Sequence, residues 1–342
     1  MESLRPLNKA NFADVLDYGI FLYKKHFKKI FLLNLMLNIP YLLLITGVTP
    51  MLTGSYQSLF DAQTMGTNLS GLFSSMFSLY TKLFIFLGIY AIYGLTLKNI
   101  LEGCIVKIIY SDVVLGEDRS IKRVFKECLG QFGTMILGKI LYNLIQGAVF
   151  FAIYIVILTG VFILSFAVMG VFSTSIVSPW ITVVLTIIGV LAAIAVIFFI
   201  SLIISFFTGK YWLFLPAICI EQKKAGASVE RCNKVGGNNF YLIGFNYLFI
   251  YIIVYMLPGL INYIISFVNL ASGSMDITAI SIGSIITQLV SSILQPVIAC
   301  TLTALYITLR VKREGLDMEI DLWEIKKEEA AKAKRWKAEA QV

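Results

Sequence analysis

Charge is scarce in two long stretches of this sequence. Residues 140–209 contain no Lys, Arg, Asp, Glu or His, and residues 235–309 contain no Lys or Arg and only one acid, Asp276. A membrane-spanning helix needs about 20 apolar residues, so each stretch is too long for one span and suits two spans joined by a turn. A soluble domain of 342 residues would need more charge to cover its surface. The sequence therefore predicts an integral membrane protein.

Histidine occurs once, as His26, within a run of lysines. A single histidine argues against a histidine-rich metal site, a zinc metalloprotease and most hydrolases that pair histidine with serine or cysteine. The five cysteines lack metal-ligand spacing, and the sequence has no glycine-rich phosphate loop. We therefore predict that the protein is not an enzyme and that it uses no metal or other cofactor.

Apolar residues are abundant enough for several spans, since they form 58% of the sequence. We predict an all-α, polytopic membrane bundle of six spans in three hairpins, each preceded by a short cytoplasmic or interfacial helix. The predicted spans are 30–48, 77–97, 134–168, 181–208, 241–268 and 279–309. They divide the chain into an amphipathic cytoplasmic segment (1–29), a membrane domain (30–310) and a charged cytoplasmic tail (311–342). Proline inside a span predicts a kink, at Pro40, Pro258 and Pro296.

Lysine and arginine are concentrated on one side of the predicted spans. Of the 28 basic residues, 27 lie before the first span, in the connections after the second and fourth spans or at the helix ends that border them (Lys139 among these), or after the sixth span, and Lys82 is the exception. Because basic loops stay in the cytoplasm, both termini are predicted to be cytoplasmic. The net charge of +8 would then face the anionic lipids of the inner leaflet, and we expect no nucleic-acid partner.

Each predicted hairpin follows a basic segment that ends in phenylalanine. These segments are 11–27, 120–132 and 228–240, and aligning Phe132 with Phe240 also pairs serine, arginine and lysine residues, which favours an internal repeat. The first segment is amphipathic, and we expect it to lie on the membrane surface or to lead directly into the first span. The cations predicted to contact lipid headgroups are Lys24, Lys25, Lys28, Lys29, Arg123, Arg231, Arg310, Lys312 and Arg313.

Two pairs of polar residues fall inside predicted spans. Asn34 and Asn38 lie one helical turn apart, as do Lys139 and Asn143, and each pair follows the phenylalanine of its segment by seven and eleven residues. The pairs should therefore lie at similar depth in the inner half of the bundle. They predict either a polar site open to the cytoplasm or hydrogen bonds between helices, with Lys139 reaching towards the interface. A shared, water-filled cavity would favour transport.

The tail residues 317–341 mix acids and bases at helical spacing and include Trp323 and Trp336. This pattern predicts a solvated charged helix. Such a helix is either simply exposed or a docking segment for a cytoplasmic or membrane protein.

Two segments also carry a resemblance to a known family. The motifs are Arg5-Pro6-Leu7, Val15-Leu16-Asp17-Tyr18-Gly19 and Leu22-Tyr23-Lys24-Lys25-His26-Phe27 near the N-terminus, and Tyr306-Ile307-Thr308-Leu309-Arg310-Val311-Lys312-Arg313-Glu314-Gly315-Leu316-Asp317 at the end of the last span, with Pro216 and Glu221 between them. They resemble the membrane domain associated with glycerophosphoryl diester phosphodiesterases and related stand-alone bacterial membrane proteins of unknown function. The sequence departs from that family at Thr308, where an acid is common, so the role of that acid is not implied here.

The resemblance implies a six-span bacterial membrane protein. It does not imply phosphodiesterase activity, because in the family that chemistry belongs to a separate barrel domain with histidines and metal-binding carboxylates. The lack of catalytic groups, the basic surfaces and the tail together predict a non-enzymatic scaffold or accessory subunit of the bacterial inner membrane. The alternative is a transporter or lipid-handling permease that uses the polar residues Asn34, Asn38, Lys139 and Asn143.

Overall fold

The computed structural model describes residues 5–64, 69–172, 195–271 and 277–323 except residue 197, together with residues 325 and 329. Within these ranges the chain is helical and has no β-strand. The first part of the predicted fourth span (181–194) and most of the tail, including Trp336, lie outside the described residues.

Among the described residues, six helical segments are long and apolar enough to cross a membrane. They are Phe27–Val48, Phe73–Leu115, Phe132–Ile155, Phe198–Glu221, Phe240–Ile265 and Ile285–Glu314. The fold is therefore the predicted polytopic helical membrane bundle. In chain order the helices are α1 (Phe12–Lys25), α2 (Phe27–Thr64), α3 (Leu69–Leu95), α4 (Leu97–Leu115), α5 (Ile121–Gly130), α6 (Phe132–Phe172), α7 (Phe198–Glu221), α8 (Ala225–Gly236), α9 (Phe240–Tyr251), α10 (Leu257–Ala271) and α11 (Ile277–Glu314).

Short helices precede three of the long ones. α1, α5 and α8 come directly before α2, α6 and α9, whose first residues are Phe27, Phe132 and Phe240. At the third junction Gly237 has a φ of 44°, a left-handed conformation that glycine adopts without steric cost. The Arg313 side chain crosses this glycine so closely that any side chain there would collide with it. The three phenylalanines, which end the basic segments defined from the sequence, are thus the first residues of the helices that follow.

The connection between α2 and α3 is much shorter than the sequence suggests. Residues 49–76 were expected to form a loop of about 28 residues because they are rich in Ser, Thr and Gly, but α2 continues to Thr64 and α3 begins at Leu69. At 1.5 Å per residue the 38 residues of α2 extend roughly 57 Å, beyond the ~30 Å of bilayer hydrocarbon. Once a helix is nucleated each further residue adds a backbone hydrogen bond, so composition alone does not end it.

α4 differs most from the sequence expectation, which placed its residues in a cytoplasmic connection. This helix runs through the core and buries Ile105 and Ile109 completely, together with the charged residues Glu102 and Lys107. α2, α5, α6, α7 and α11 pack around it. The charged residues of α4 lower its hydropathy, but they pair with other charged groups of the protein. The Lys107 ammonium, for example, lies 3.8 Å from the Glu127 carboxylate. We call this end of the molecule, formed by α1, α4, α5, α8 and residues 297–314, the basic end.

α1 packs against α11 and α9. Val15, Gly19 and Leu22 are buried in this contact, and a Cβ atom on Gly19 would lie only 2.6 Å from the Cα of Thr301. The Tyr23 hydroxyl donates a hydrogen bond to the carbonyl of Ile293 (2.8 Å), and burial raises the pKa of Tyr23 to about 12. Protein therefore covers the face of α1 that contains Val15, Gly19 and Leu22, and α1 is followed directly by α2.

Candidate intramembrane binding site

Asn34 and Asn38 of α2 are buried and bonded to α11. Asn34 Nδ2 donates to the carbonyl of Ser292 (2.8 Å), and Asn38 Nδ2 donates to Ser292 Oγ (3.0 Å) and to Asn34 Oδ1. The hydroxyl of Tyr93 on α3 donates to Asn38 Oδ1, and the Tyr93 ring stacks on Tyr41 with centroids 3.8 Å apart. Asn38 therefore joins α2, α3 and α11, which explains why two amides are accommodated at a depth where unpaired polar groups are costly.

A cavity of about 510 Å³ lies beside these hydrogen bonds. Its volume is in the range of small-molecule sites. Its polar lining is Asn38, Tyr41, Thr46, Tyr90, Tyr93, Lys98, Tyr255, Gln288, Ser291, Ser292 and Gln295, and its apolar lining is Leu42, Phe86, Leu87, Val254 and Ile285. The arrangement combines hydrogen-bonding groups with an apolar wall, so it suits a molecule that has a polar head and an apolar part.

The floor and the rim of this cavity differ in exposure. Asn38, Tyr93 and Val254 are buried, whereas Tyr90 is 48% and Tyr255 is 43% exposed. Tyr90 belongs to α3, and Tyr255 lies between α9 and α10. The cavity is thus closed by buried residues on one side and bordered by half-exposed tyrosines of α3 and the fifth span on the other.

A π-turn at Ile252–Met256 places Tyr255 at the cavity mouth. Pro258 follows this turn, and proline cannot donate the hydrogen bond that would continue an α-helix and clashes with the carbonyl four residues before it. The wider turn relieves that conflict. The irregularity predicted at Pro258 is therefore present, and single π-turns of this kind are frequent at functional sites.

Lys98 provides the positive charge in the cavity wall. Its ammonium lies 3.4 Å from the Tyr255 hydroxyl and 3.9 Å from Glu102 Oε1, and its side chain is 15% exposed. Sequence analysis counted Lys98 only as a cytoplasmic cation after the second span. In the structure it is the second residue of α4, which starts at Leu97 after the turn at Thr96 that separates α3 from α4.

Lys139 and Asn143 do not join Asn34 and Asn38. The Lys139 ammonium lies over the rings of Tyr142 (5.1 Å) and Phe214 (5.9 Å), and Asn143 is exposed on α6. The equal spacing of the two pairs in the sequence therefore does not bring them into one site. The reason is that α2 lies against α3 and α11, whereas α6 lies against α7 and α8.

A row of tyrosines lies between the cavity and the surroundings of Lys139. Tyr247, Tyr251 and Tyr255 follow at four-residue spacing, with centroids 4.5 Å and 5.3 Å apart. The Tyr247 hydroxyl is 2.9 Å from that of Tyr142, and Trp212 packs on its ring edge-on at 5.3 Å. This spacing was visible in the sequence as one aromatic helix face, but sequence analysis did not single it out.

The basic end contains a second polar cluster, which is made of ion pairs. Arg231 of α8 donates to Glu221 (2.7 Å) and Glu314 (2.7 Å), and Arg310 donates to Glu314 (2.9 Å) and to the Tyr110 hydroxyl (2.9 Å). Burial lowers the pKa of Arg231, but the hydrogen bonds to Glu314 and Glu221 outweigh it and raise that pKa above its ordinary value. These carboxylates hold α7, α8 and α11 together.

The structure places the predicted headgroup cations in different surroundings. The side chains of Arg231 and Arg310 are each only 13% exposed and paired inside the protein, so they are not surface anchors. Lys312 donates to the carbonyl of Ala10 (2.7 Å) and Arg313 to that of Lys234 (2.9 Å). Lys25 pairs with Asp112 (2.7 Å), Lys29 with Asp118, and Arg123 with Glu127 (3.3 Å), while Lys24 and Lys28 are exposed.

His26 is buried rather than exposed at the membrane edge. Its Nε2 lies 3.1 Å from Asp112 Oδ2, at the junction of α1 and α2.

In the part of the chain that the structure describes, no group of three or more His, Cys, Asp or Glu side chains could hold a metal ion. Comparison with protein-family models, with curated proteins and with solved structures finds no match for this chain.

Proposed function

We propose that this protein is a transporter or lipid-handling permease that binds an amphipathic molecule in the cavity between α2, α3, α11 and the fifth span. The cavity carries this proposal. Its polar floor is buried among membrane-length helices, and its half-exposed rim would face lipid in a bilayer. An amphipathic molecule could enter sideways, with its head at Asn38 and Lys98 and its apolar part along Leu42 and Leu87.

The proposal selects the second of the two functions that the sequence suggested. A scaffold or accessory subunit would use the tail 317–341, most of which lies outside the described residues. A dry bundle would have favoured that role, whereas a cavity lined by amides, hydroxyls and one ammonium favours ligand binding. The proposal is one of binding and movement of a ligand and includes no catalysis.

Transport in proteoliposomes tests this function. Purified protein is reconstituted into vesicles with lipids that carry a fluorescent nitrobenzoxadiazole label on one acyl chain, and dithionite measures how fast inner-leaflet label reaches the outside. We expect the wild type to accelerate this movement over protein-free vesicles. Ser291→Trp should abolish the acceleration, because Ser291 lines the cavity and a Trp side chain would fill it.

Leu289→Trp is the matched control for that experiment. Leu289 lies on the same helix, α11, but is 48% exposed and does not line the cavity. This variant should move labelled lipid at the wild-type rate. The proposed function would be contradicted if labelled lipid moved equally fast in wild-type and protein-free vesicles, or if Ser291→Trp kept full activity.

We further propose that the protein is in the inner membrane of a bacterium, with both termini in the cytoplasm and the basic end against the inner leaflet. The distribution of lysine and arginine supports this orientation. Alkaline phosphatase fused after residue 342 should be inactive, and green fluorescent protein fused there should fluoresce. The reverse pattern would place the basic end outside.

A further inference from the structure

We infer that the ligand head bound in the cavity is a phosphate-type anion on an apolar tail, and that Lys98 is the residue that binds it. This inference rests on the proposed function and names its substrate class.

Lys98 has an ammonium whose hydrogen-bonding capacity is poorly used. An ammonium has three donors, and N–H···O bonds have donor–acceptor distances of about 2.7–3.2 Å. Among the described residues the closest recorded partners of Lys98 lie at 3.4 Å (Tyr255) and 3.9 Å (Glu102). By contrast, Arg231 makes two bonds of 2.7 Å to carboxylates at the basic end. Lys98 therefore retains the ability to bind an anion that enters the cavity.

The described wall of the cavity has no acid of its own. Glu102, one helical turn after Lys98, does not line it. The neighbouring polar groups are hydroxyls and amides, such as those of Tyr90, Gln288 and Ser291, which can donate to an anion. A phosphate group offers several acceptor oxygens, and lysine binds phosphate as a point charge. An anion with one oxygen on Lys98 and others on these donors would satisfy groups from α3, α4 and α11 together.

The rim indicates that the anion carries an apolar tail. Leu87 is 49% exposed and, with Phe86 and Leu42, forms an apolar wall that leads from the polar floor to the outside of the bundle. A free phosphate ion would leave this wall without a partner. A lipid-type phosphate ester fits both parts, with its head at Lys98 and its chain along the wall.

Thermal unfolding of the purified protein with three probes tests the inference. The probes are dihexanoylphosphatidate, which has head and tail, dihexanoylglycerol, which lacks the phosphate, and inorganic phosphate, which lacks the tail. Ligands that bind the folded protein raise its unfolding temperature by an amount that grows with the ratio of their free concentration to their Kd. We expect dihexanoylphosphatidate to stabilise the wild type at much lower concentration than either other probe.

Variants at Lys98 assign the effect to one side chain. Because Lys98→Met would leave Glu102 buried without its partner, it is combined with Glu102→Gln and compared with Glu102→Gln alone. The double variant should bind dihexanoylphosphatidate about tenfold or more weakly, the loss expected for a hydrogen bond to a charged group. Glu102→Gln alone should bind it more tightly than the wild type, since the competing carboxylate is gone, and Lys98→Arg should retain most of the affinity.

Lys28→Met is the control for general attraction of anions, because Lys28 is exposed at the basic end. Its affinity for dihexanoylphosphatidate should equal that of the wild type. The inference is overturned if the double variant binds this probe as tightly as Glu102→Gln does, if Lys28→Met weakens binding equally, or if no probe stabilises the protein. A Lys98-dependent shift of equal size with inorganic phosphate would overturn the requirement for a tail. If Ser291→Trp abolishes lipid movement and the double variant does not, the proposed function stands and the inference of a phosphate headgroup bound by Lys98 is wrong.

Discussion

The basic end buries charged residues, whereas the outer parts of α3 and α6 expose apolar ones. In the basic end, Arg231 and Arg310 are each 13% exposed and bonded to carboxylates. On α3, Phe77 is 75% and Phe84 71% exposed, and on α6, Phe151 is 65% exposed. The usual relation between hydropathy and burial is therefore reversed between these regions. The lipid is as apolar as these side chains, so their exposure costs little there, and helices associate through polar contacts and close packing instead.

The cavity lies between these two regions and shares features of both. It has the buried hydrogen bonds of Asn38 and Tyr93 on one side and the exposed rings of Tyr90 and Tyr255 on the other. A site at such a boundary can hold a polar head against the protein and leave an apolar tail in lipid. If the two regions differ in this way, substitutions of buried and paired residues should lower the free energy of unfolding more than substitutions of exposed residues.

The largest effect is expected from breaking the ion pairs of the basic end. Arg231→Met leaves Glu221 and Glu314 with less compensation for their charge, and removing one partner of a buried pair costs about 3–5 kcal/mol. The free energy of unfolding, measured by urea titration in mixed micelles, should fall by this amount. Arg123→Met is the control, since Arg123 is 65% exposed in its pair with Glu127 and such pairs contribute about 0–1 kcal/mol. Equal losses in the two variants would refute the contrast.

Close packing between α1 and α11 should give the next largest effect. A methyl group at Gly19 would collide with the backbone of Thr301, so Gly19→Ala should lower the free energy of unfolding by about 1–3 kcal/mol, the usual cost of overpacking. Gly133→Ala on α6 has no atom within 4 Å of the new methyl group. It should leave stability unchanged or raise it by up to ~1 kcal/mol, because alanine favours helix. If Gly19→Ala were equally harmless, α1 would not be held against α11.

Removing the amide of Asn38 tests the polar floor. Asn38→Leu loses three hydrogen bonds, each worth about 0.6 kcal/mol on average between membrane helices, so a loss of roughly 1–2 kcal/mol is expected. Asn143→Leu replaces the exposed amide that sequence spacing assigned to the same site, and it should change stability by less than about 0.5 kcal/mol. The same titration compares both variants. If Asn143→Leu lost more unfolding free energy than Asn38→Leu, Asn143 would belong to the polar site, as the equal sequence spacing of the two pairs predicts.

The smallest effect concerns the pH dependence at Tyr23. Its pKa is raised to about 12 from an ordinary value of 10.0 because the folded protein buries the neutral phenol. This contribution to stability is complete below pH 10 and is lost as pH rises from 10 towards 12, since the unfolded chain ionises first. Tyr23→Phe should therefore lose less stability than the wild type over that window.

Some features of the site were readable from the sequence because they depend on spacing along one helix. Asn34 and Asn38 lie one turn apart and do hydrogen-bond to each other. Their partners Tyr93 and Ser292 were not predictable, since contacts between helices depend on how each helix is rotated and which neighbours it has. Lys98 was misjudged for a related reason. Its charge marked it as a loop residue, and only the packing of α4 shows that it points into a cavity.

The sequence by itself determined that the chain is a helical membrane protein and where three of its long helices begin. Long, continuously apolar stretches form helices in lipid, because a helix satisfies the hydrogen bonds of every backbone group within its own segment. Tertiary structure decided which polar residues meet. It buried the charged α4, separated Lys139 from Asn38 and left an ammonium, Lys98, beside a cavity. Those outcomes depend on contacts between helices far apart in the sequence, which local periodicity does not encode.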